Sequence, residues 1–204
     1  MYAMHDALRR ELAHLDRIAT SADRDPRHVL ATAAGWTLLK KALHAHHTAE
    51  DDALWPSLRK NLAGRPKDLA LVEVTPAERA AIALVIQAID DALADPDSDS
   101  LRFCQLADAL TRGLAGHLNH EEQTALPLIQ RVLTVEQWGR FGRVHAHHID
   151  QDAPLLLPWL LDGAEEPMTR RLLARLPAPE YAACTARWMP AYAVLDRWGP
   201  GTAA

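Results

Sequence analysis

The chain has 204 residues, enough for one core with an extension, and its 49% hydrophobic content is ordinary for a folded protein and too high for a disordered one. A formal charge of −5 without a basic stripe argues against a nucleic acid partner, and no apolar run approaches the roughly 18 residues of a membrane helix. The amphipathic opening MYAMHDALRRELAHL lacks the apolar centre of a secretory leader, and Cys104 and Cys184, without CxxC spacing, read as reduced thiols of a cytoplasmic protein.

Alanine, leucine and arginine dominate and β-branched residues are sparse, which predicts an all-α fold. The first helix is expected over 2–20, ended by Ser21-Ala-Asp-Arg-Asp-Pro26, where Pro26 suits a helix start. A second helix runs over 27–62 and a loop follows around Gly64-Arg-Pro66. Thr75 is the expected N-cap of a third helix, with Pro76 in its first turn and Glu78 closing a capping box. That helix ends near Ala94, and a fourth spans 101–133. A fifth starts after Thr134, with Glu136 and Gln137 in its first turn, and reaches Leu161. The tail from Met168 holds a short helix or two separated by Pro177, Pro179 and Pro190, with Trp188, Tyr192 and Trp198 expected to pin it down by packing. The expected division is an antiparallel four-helix bundle over 1–133 and a helical extension packed on it over 134–204.

Residues three and four apart share a helix face, and here the apolar faces carry charge-bearing side chains. The stripe of the first helix is His5, Leu8, Leu12, Leu15, Ala19, and that of the third is Arg79, Ile82, Ile86, Ile89, Leu93. The second helix places His46 and Glu50 on its stripe, and the fourth places His117 and Glu121. A buried ionisable group must be paired or bind a metal. His46-x3-Glu50-x5-Pro56 and His117-x3-Glu121-x5-Pro127 have the same spacing, so the chain reads as two copies of a helical hairpin. A pseudo-twofold would bring both imidazole–carboxylate couples to one cavity, whose nitrogen and oxygen donors suit iron, manganese or zinc.

The segments His5-Asp6-Ala-Leu, His46-His-Thr-Ala-Glu50-Asp51-Asp-Ala-Leu-Trp-Pro56 and His117-Leu-Asn-His-Glu121-Glu-Gln-Thr-Ala-Leu-Pro127 resemble the hemerythrin-like HHE cation-binding family over about residues 1–133. The resemblance implies a non-haem iron centre of two ions, or of one, held by His5, His46, Glu50, His117 and Glu121. It implies binding or sensing of O2, NO or peroxide, with a peroxide-decomposing or oxidase enzyme as the alternative.

One position departs from the family pattern. The expected histidine of the third helix aligns with Arg79, and a guanidinium cannot ligate iron. Arg79 could instead pair with Glu50 or Glu121 and leave a metal-free bundle. Substitutes for the missing imidazole are Glu78, beside it, and His148 with Asp152 on the fifth helix, where His148-x3-Asp152-x5-Pro158 echoes the spacing again. His44, His47, His120 and His147 lie beside the stripes and read as outer or surface residues.

Overall fold

A computed structural model describes residues 1–21 and 25–199. Every regular element among them is helical, so the protein is all-α. Helix α1 spans Tyr2–Thr20 and α2 spans Pro26–Thr32, so the expected break between them falls partly on 22–24, outside the described residues. The Asp25 side chain caps α2 by accepting from the Arg27 amide, with Pro26 at its first position as expected.

The single helix expected over 27–62 is three helices. An extended residue, Ala33, separates α2 from α3 (Ala34–Ala49), and the Gly35 amide donates to the Arg197 carbonyl at 2.7 Å. A Cβ on Gly35 would lie 2.3 Å from the Trp198 ring, so this close approach of the tail requires glycine. A π-helical turn, Glu50–Leu54, then leads into α4 (Trp55–Leu62). The fourth expected helix divides likewise into α7 (Ser100–His120), a π turn over Glu121–Ala125, and α8 (Leu126–Val132).

Both π turns have the same cause. Pro56 and Pro127 offer no N–H and crowd the carbonyl one turn back, which favours a wider turn over an unbroken α ladder. In each case the amide just before the proline, on Trp55 or Leu126, bonds back five residues to Glu50 or Glu121. A third copy appears at Cys184–Trp188 ahead of Pro190. The repeated glutamate-to-proline spacing is thus the mark of a π turn, an irregularity that clusters at functional sites.

After α4 comes α5 (Pro66–Val72), an unexpected helix, followed by α6 (Thr75–Ala94). Thr75 does not cap α6: Val74 is the N-cap, and the Thr75 hydroxyl is buried with no bond among the described residues. Glu78 is not in a capping box either, because its carboxylate is turned to histidines of α7. Helix α9 (Val135–Ile149) opens with a full capping box between Thr134 and Gln137. A 3-10 turn, Asp150–Asp152, joins it to α10 (Ala153–Leu161), and the tail continues as α11 (Glu166–Leu173), α12 (Ala178–Ala183) and α13 (Met189–Ala193).

Helix α7 packs against α6 and α1, while α3 packs against α9, α1 and α10. Two apolar clusters result. The larger joins α1, α2, α3, α6 and α7 to Trp159, Tyr192 and Trp198, so the tail contributes core. Of the expected tail anchors, Tyr192 and Trp198 are buried and Trp188 is half-buried. The smaller cluster gathers α4, α5 and α8 with Phe141 of α9. His46, Glu50, His117 and Glu121 sit in sequence where the two clusters meet, a fully buried polar layer between apolar ones. Among the described residues no helix is long and apolar enough to cross a membrane.

Candidate metal centre

His5, His46, Glu50, His117 and Glu121 are each at most 1% exposed, and the structure brings them together. His5 Nε2 lies 3.3 Å from His46 Nε2 and 3.4 Å from Glu121 Oε2. Ligand atoms of His5, His46 and Glu121 all fall within 4.8 Å of one another. His46 Nε2 is 3.4 Å from Glu50 Oε1, and His117 Nε2 is 3.3 Å from Glu121 Oε1. Glu121 therefore turns one oxygen to the His5 and His46 side and the other to the His117 side.

The histidine tautomers follow from outer partners, because an ionised carboxylate can only accept a hydrogen bond. His5 Nδ1 donates to Glu122 Oε1 at 2.8 Å, and Arg9 holds both Glu122 oxygens at 2.9 Å. His117 Nδ1 donates to Glu78 Oε2 at 3.0 Å, which His120 Nδ1 also reaches at 3.0 Å. With Nδ1 protonated, His5 and His117 each aim a lone pair on Nε2 inward, the arrangement by which carboxylate partners orient metal-binding imidazoles. Burial pushes the Glu122 and Glu78 carboxyls up, but these hydrogen bonds outweigh it and leave both below the usual range.

The inner groups are held in states they would not adopt alone. Burial drives His46 well below the ordinary imidazole value, so it is neutral and can offer a lone pair. Burial and then the neighbouring Glu121 push Glu50 well above the usual carboxylate value. Both oxygens of Glu50, both of Glu121 and Nε2 of His117 are buried without a hydrogen-bond partner among the described residues. Such groups are costly to bury unpaired. A cation removes that cost, and the donors suit one: atoms bound about 2.1 Å from a common ion stand roughly 3.0 to 3.4 Å apart, and the closest separations here are 3.3 and 3.4 Å.

Without metal, Glu50 makes stability pH-dependent with a definite sign. Its folded value lies above its unfolded one, so its contribution is complete below pH 4.5 and is lost as pH rises through the folded value. Metal-free Glu50→Gln is accordingly expected to melt higher than the metal-free parent at pH 7.5, with the gap closing toward pH 4.5 in thermal scans. An equal gap at both pH values would contradict this.

The residues named as substitutes or competitors lie elsewhere. Arg79 stands where the family pattern puts a histidine, but its guanidinium is paired to Asp51 at 2.7 and 2.9 Å and donates to the His47 carbonyl at 2.6 Å. It is not bonded to Glu50 or Glu121. Asp51 follows Glu50 as Glu122 follows Glu121, so the Arg79–Asp51 pair matches the His5–Glu122 pair in sequence position. Glu78 is an outer partner of His117. His148 does not turn inward: its Nε2 donates to Asp52 at 2.8 Å, and Asp152 accepts from Lys41 at 2.6 Å. The 3-10 turn at Asp150–Asp152 breaks the register on which the third echo of the spacing depended.

Two other imidazoles approach the site. His145, one turn before His148 on α9, faces His46 edge-on with ring centres 5.9 Å apart. His47 meets His117 edge-on at 5.3 Å and lies beside His46 at 6.0 Å. In both the Nε2 atom is buried and unpartnered among the described residues. Burial lowers His145 to about 4 and, with the Arg79 charge, His47 to about 2. The sequence signal for His145 was its place on the apolar stripe of α9, between Phe141 and His148; His47, beside its stripe, gave none.

An all-helical chain with a buried histidine–carboxylate cluster spread over three helices is of the cation-binding helical class. The Hemerythrin HHE cation binding domain description matches residues 1–129, and the chain belongs to that family. No curated protein and no solved structure gave a match to this chain.

Proposed function

We propose that this is a cytoplasmic non-haem iron protein that binds or senses O2, NO or peroxide at a site of two iron ions. The observation that carries the reading is the set of buried, unpartnered donor atoms on Glu50, Glu121 and His117 beside the converging nitrogens of His5 and His46. In this reading α1, α3, α6 and α7, with their continuations, form an antiparallel four-helix bundle over 1–133, and 134–204 is an extension that covers α3. His5, His46, Glu50, His117 and Glu121 would hold the ions. Bound iron would supply redox chemistry and a Lewis-acidic centre for a small ligand; zinc and manganese are the alternatives for the donor set.

The chain's own residues do the rest. Arg9 and Glu122 fix the proton of His5 on Nδ1, and Glu78 does the same for His117. The apolar clusters on either side keep water from the polar layer. His145, neutral and unpaired beside His46, offers an N–H to a small bound molecule.

A second reading, turnover of peroxide or of a substrate oxidised by O2, has one observation in its favour. A groove of about 530 Å³ lies between α9 and the tail, with His145 on its wall among Trp138, Leu157, Leu161 and Leu172. It provides room for a molecule larger than O2 next to the imidazole that faces His46.

Protein from iron-supplemented growth tests the proposal. It is expected to carry about two iron ions per chain and to show the near-ultraviolet bands of bridged iron, which change on adding O2, NO or peroxide. Steady consumption of peroxide would select the second reading. Iron-free protein with no spectral response would contradict both.

A further inference from the structure

We infer that His47 is a metal ligand, supplying through Nε2 the imidazole that α6 does not bring to the His117 side of the site. The inference rests on the metal reading above and adds a residue that neither spacing nor the twofold repeat singles out.

The two sides of the site are unequal without it. The first has two inward nitrogens, on His5 and His46, with Glu121 Oε2 close by. The second has His117 Nε2 and Glu121 Oε1 at 3.3 Å, and the third-helix position that should add a nitrogen carries Arg79. Other candidates are engaged elsewhere. Glu78 accepts from both His117 Nδ1 and His120 Nδ1. His148 is bonded to Asp52, and His145 stands against His46 on the opposite side.

His47 stands against His117 on this side. Its ring is edge-on to His117, with centres 5.3 Å apart and planes 86° apart. Two imidazoles bound to one ion are set side by side in this way, because each must point a nitrogen at the same centre. Its Nε2 is buried and unpartnered, as is His117 Nε2. Arg79 then has a role other than ligation. It bonds the His47 carbonyl at 2.6 Å and grips Asp51 with both terminal nitrogens, fixing the backbone of α3 at the residue whose side chain turns in. Arg79 is thus a positioning residue, and the missing histidine of α6 and the extra histidine of α3 are two halves of one substitution. With His47 counted, each side has two imidazoles, and Glu121 reaches both sides.

Calorimetric titration of metal-free, full-length protein with Zn²⁺, and anaerobically with Fe²⁺, tests this. Two uptake steps are expected in the parent. His47→Ala should weaken the step that His117→Ala weakens, by more than the ~100-fold that losing an outer partner costs, and leave the step lost in His5→Ala. The His47→Ala/His117→Ala pair should lose that step altogether while the His5 step remains. His44→Ala, at an exposed histidine of the same helix, should change neither step. Helical circular dichroism of the metal-free variants separates ligand loss from unfolding, and His47→Gln, which keeps polarity and most of the volume, gives the same readout if the alanine variant does not fold. Parent-like uptake in the His47 variants, or loss of the His5 step instead, overturns the inference while the metal reading stands. A parent that takes up no metal overturns both.

Discussion

Glu121→Ala is expected to abolish metal binding, with iron per chain falling from about two to a small residue and affinity dropping by more than ~100-fold. Loss of an outer carboxylate that merely orients a metal-bound imidazole costs about 10- to 100-fold, and Glu121 stands closer in. Its Oε2 is 3.4 Å from His5 Nε2 and its Oε1 is 3.3 Å from His117 Nε2, so one substitution removes a donor from each side. The metal-free protein should not suffer in parallel. Both oxygens are buried without hydrogen-bond partners among the described residues, and the nearby charge raises the carboxyl of Glu50 further. Elemental analysis beside thermal unfolding checks both halves: metal content should collapse while the metal-free variant melts no lower than the metal-free parent. Retained iron at parental levels would show that Glu121 is not a ligand.

Trp159→Ala is expected to cost about 3–5 kcal/mol of stability, the usual range for deleting a large buried aromatic. Trp159 belongs to α10, yet it is 0% exposed and lies in the same apolar cluster as Leu8, Leu39 and Phe103. The Arg10 guanidinium of α1 sits 5.4 Å from its ring centre and donates to its carbonyl at 2.7 Å. On the opposite side of Arg10 in sequence, Glu11 accepts from the Trp198 indole at 2.7 Å, a second tie between α1 and the tail. If the extension were an independent appendage, the truncation would leave the main unfolding transition unmoved. Chemical denaturation followed by helical circular dichroism decides between one shifted transition and an unaffected one.

The sequence revealed the helical class and the five inward residues because both depend on local rules. Helical periodicity put His5, His46, Glu50, His117 and Glu121 on apolar stripes, and burial then demanded partners for them. Pro56 and Pro127 carried more than the repeat alone discloses, since each follows a π turn that begins at the glutamate six residues before it. What stayed illegible depends on distant contacts. Arg79 could be placed at the third-helix position, but its direction is set by Asp51 and the His47 carbonyl on another helix. Thr75 and Glu78 had the local pattern of a capping box, yet the pull of His117 and His120 on the Glu78 carboxylate prevails. His148 had the right spacing to Asp152 and Pro158, but it stands one turn further along α9 than His145, which meets His46, and it is engaged by Asp52 instead. The break at Ala33 followed from no residue of its own helix; it comes with the Arg197 carbonyl bonding Gly35 and with Trp198 lying over it.

Anomalous diffraction at the iron edge, from crystals grown with ferrous iron, addresses the central claim most directly. The account predicts strong density for iron among His5 Nε2, His46 Nε2 and Glu121 Oε2, with a second ion on the His117 side. Iron found only at surface carboxylates, or these buried donors closed on one another around no ion in iron-soaked crystals, would contradict it.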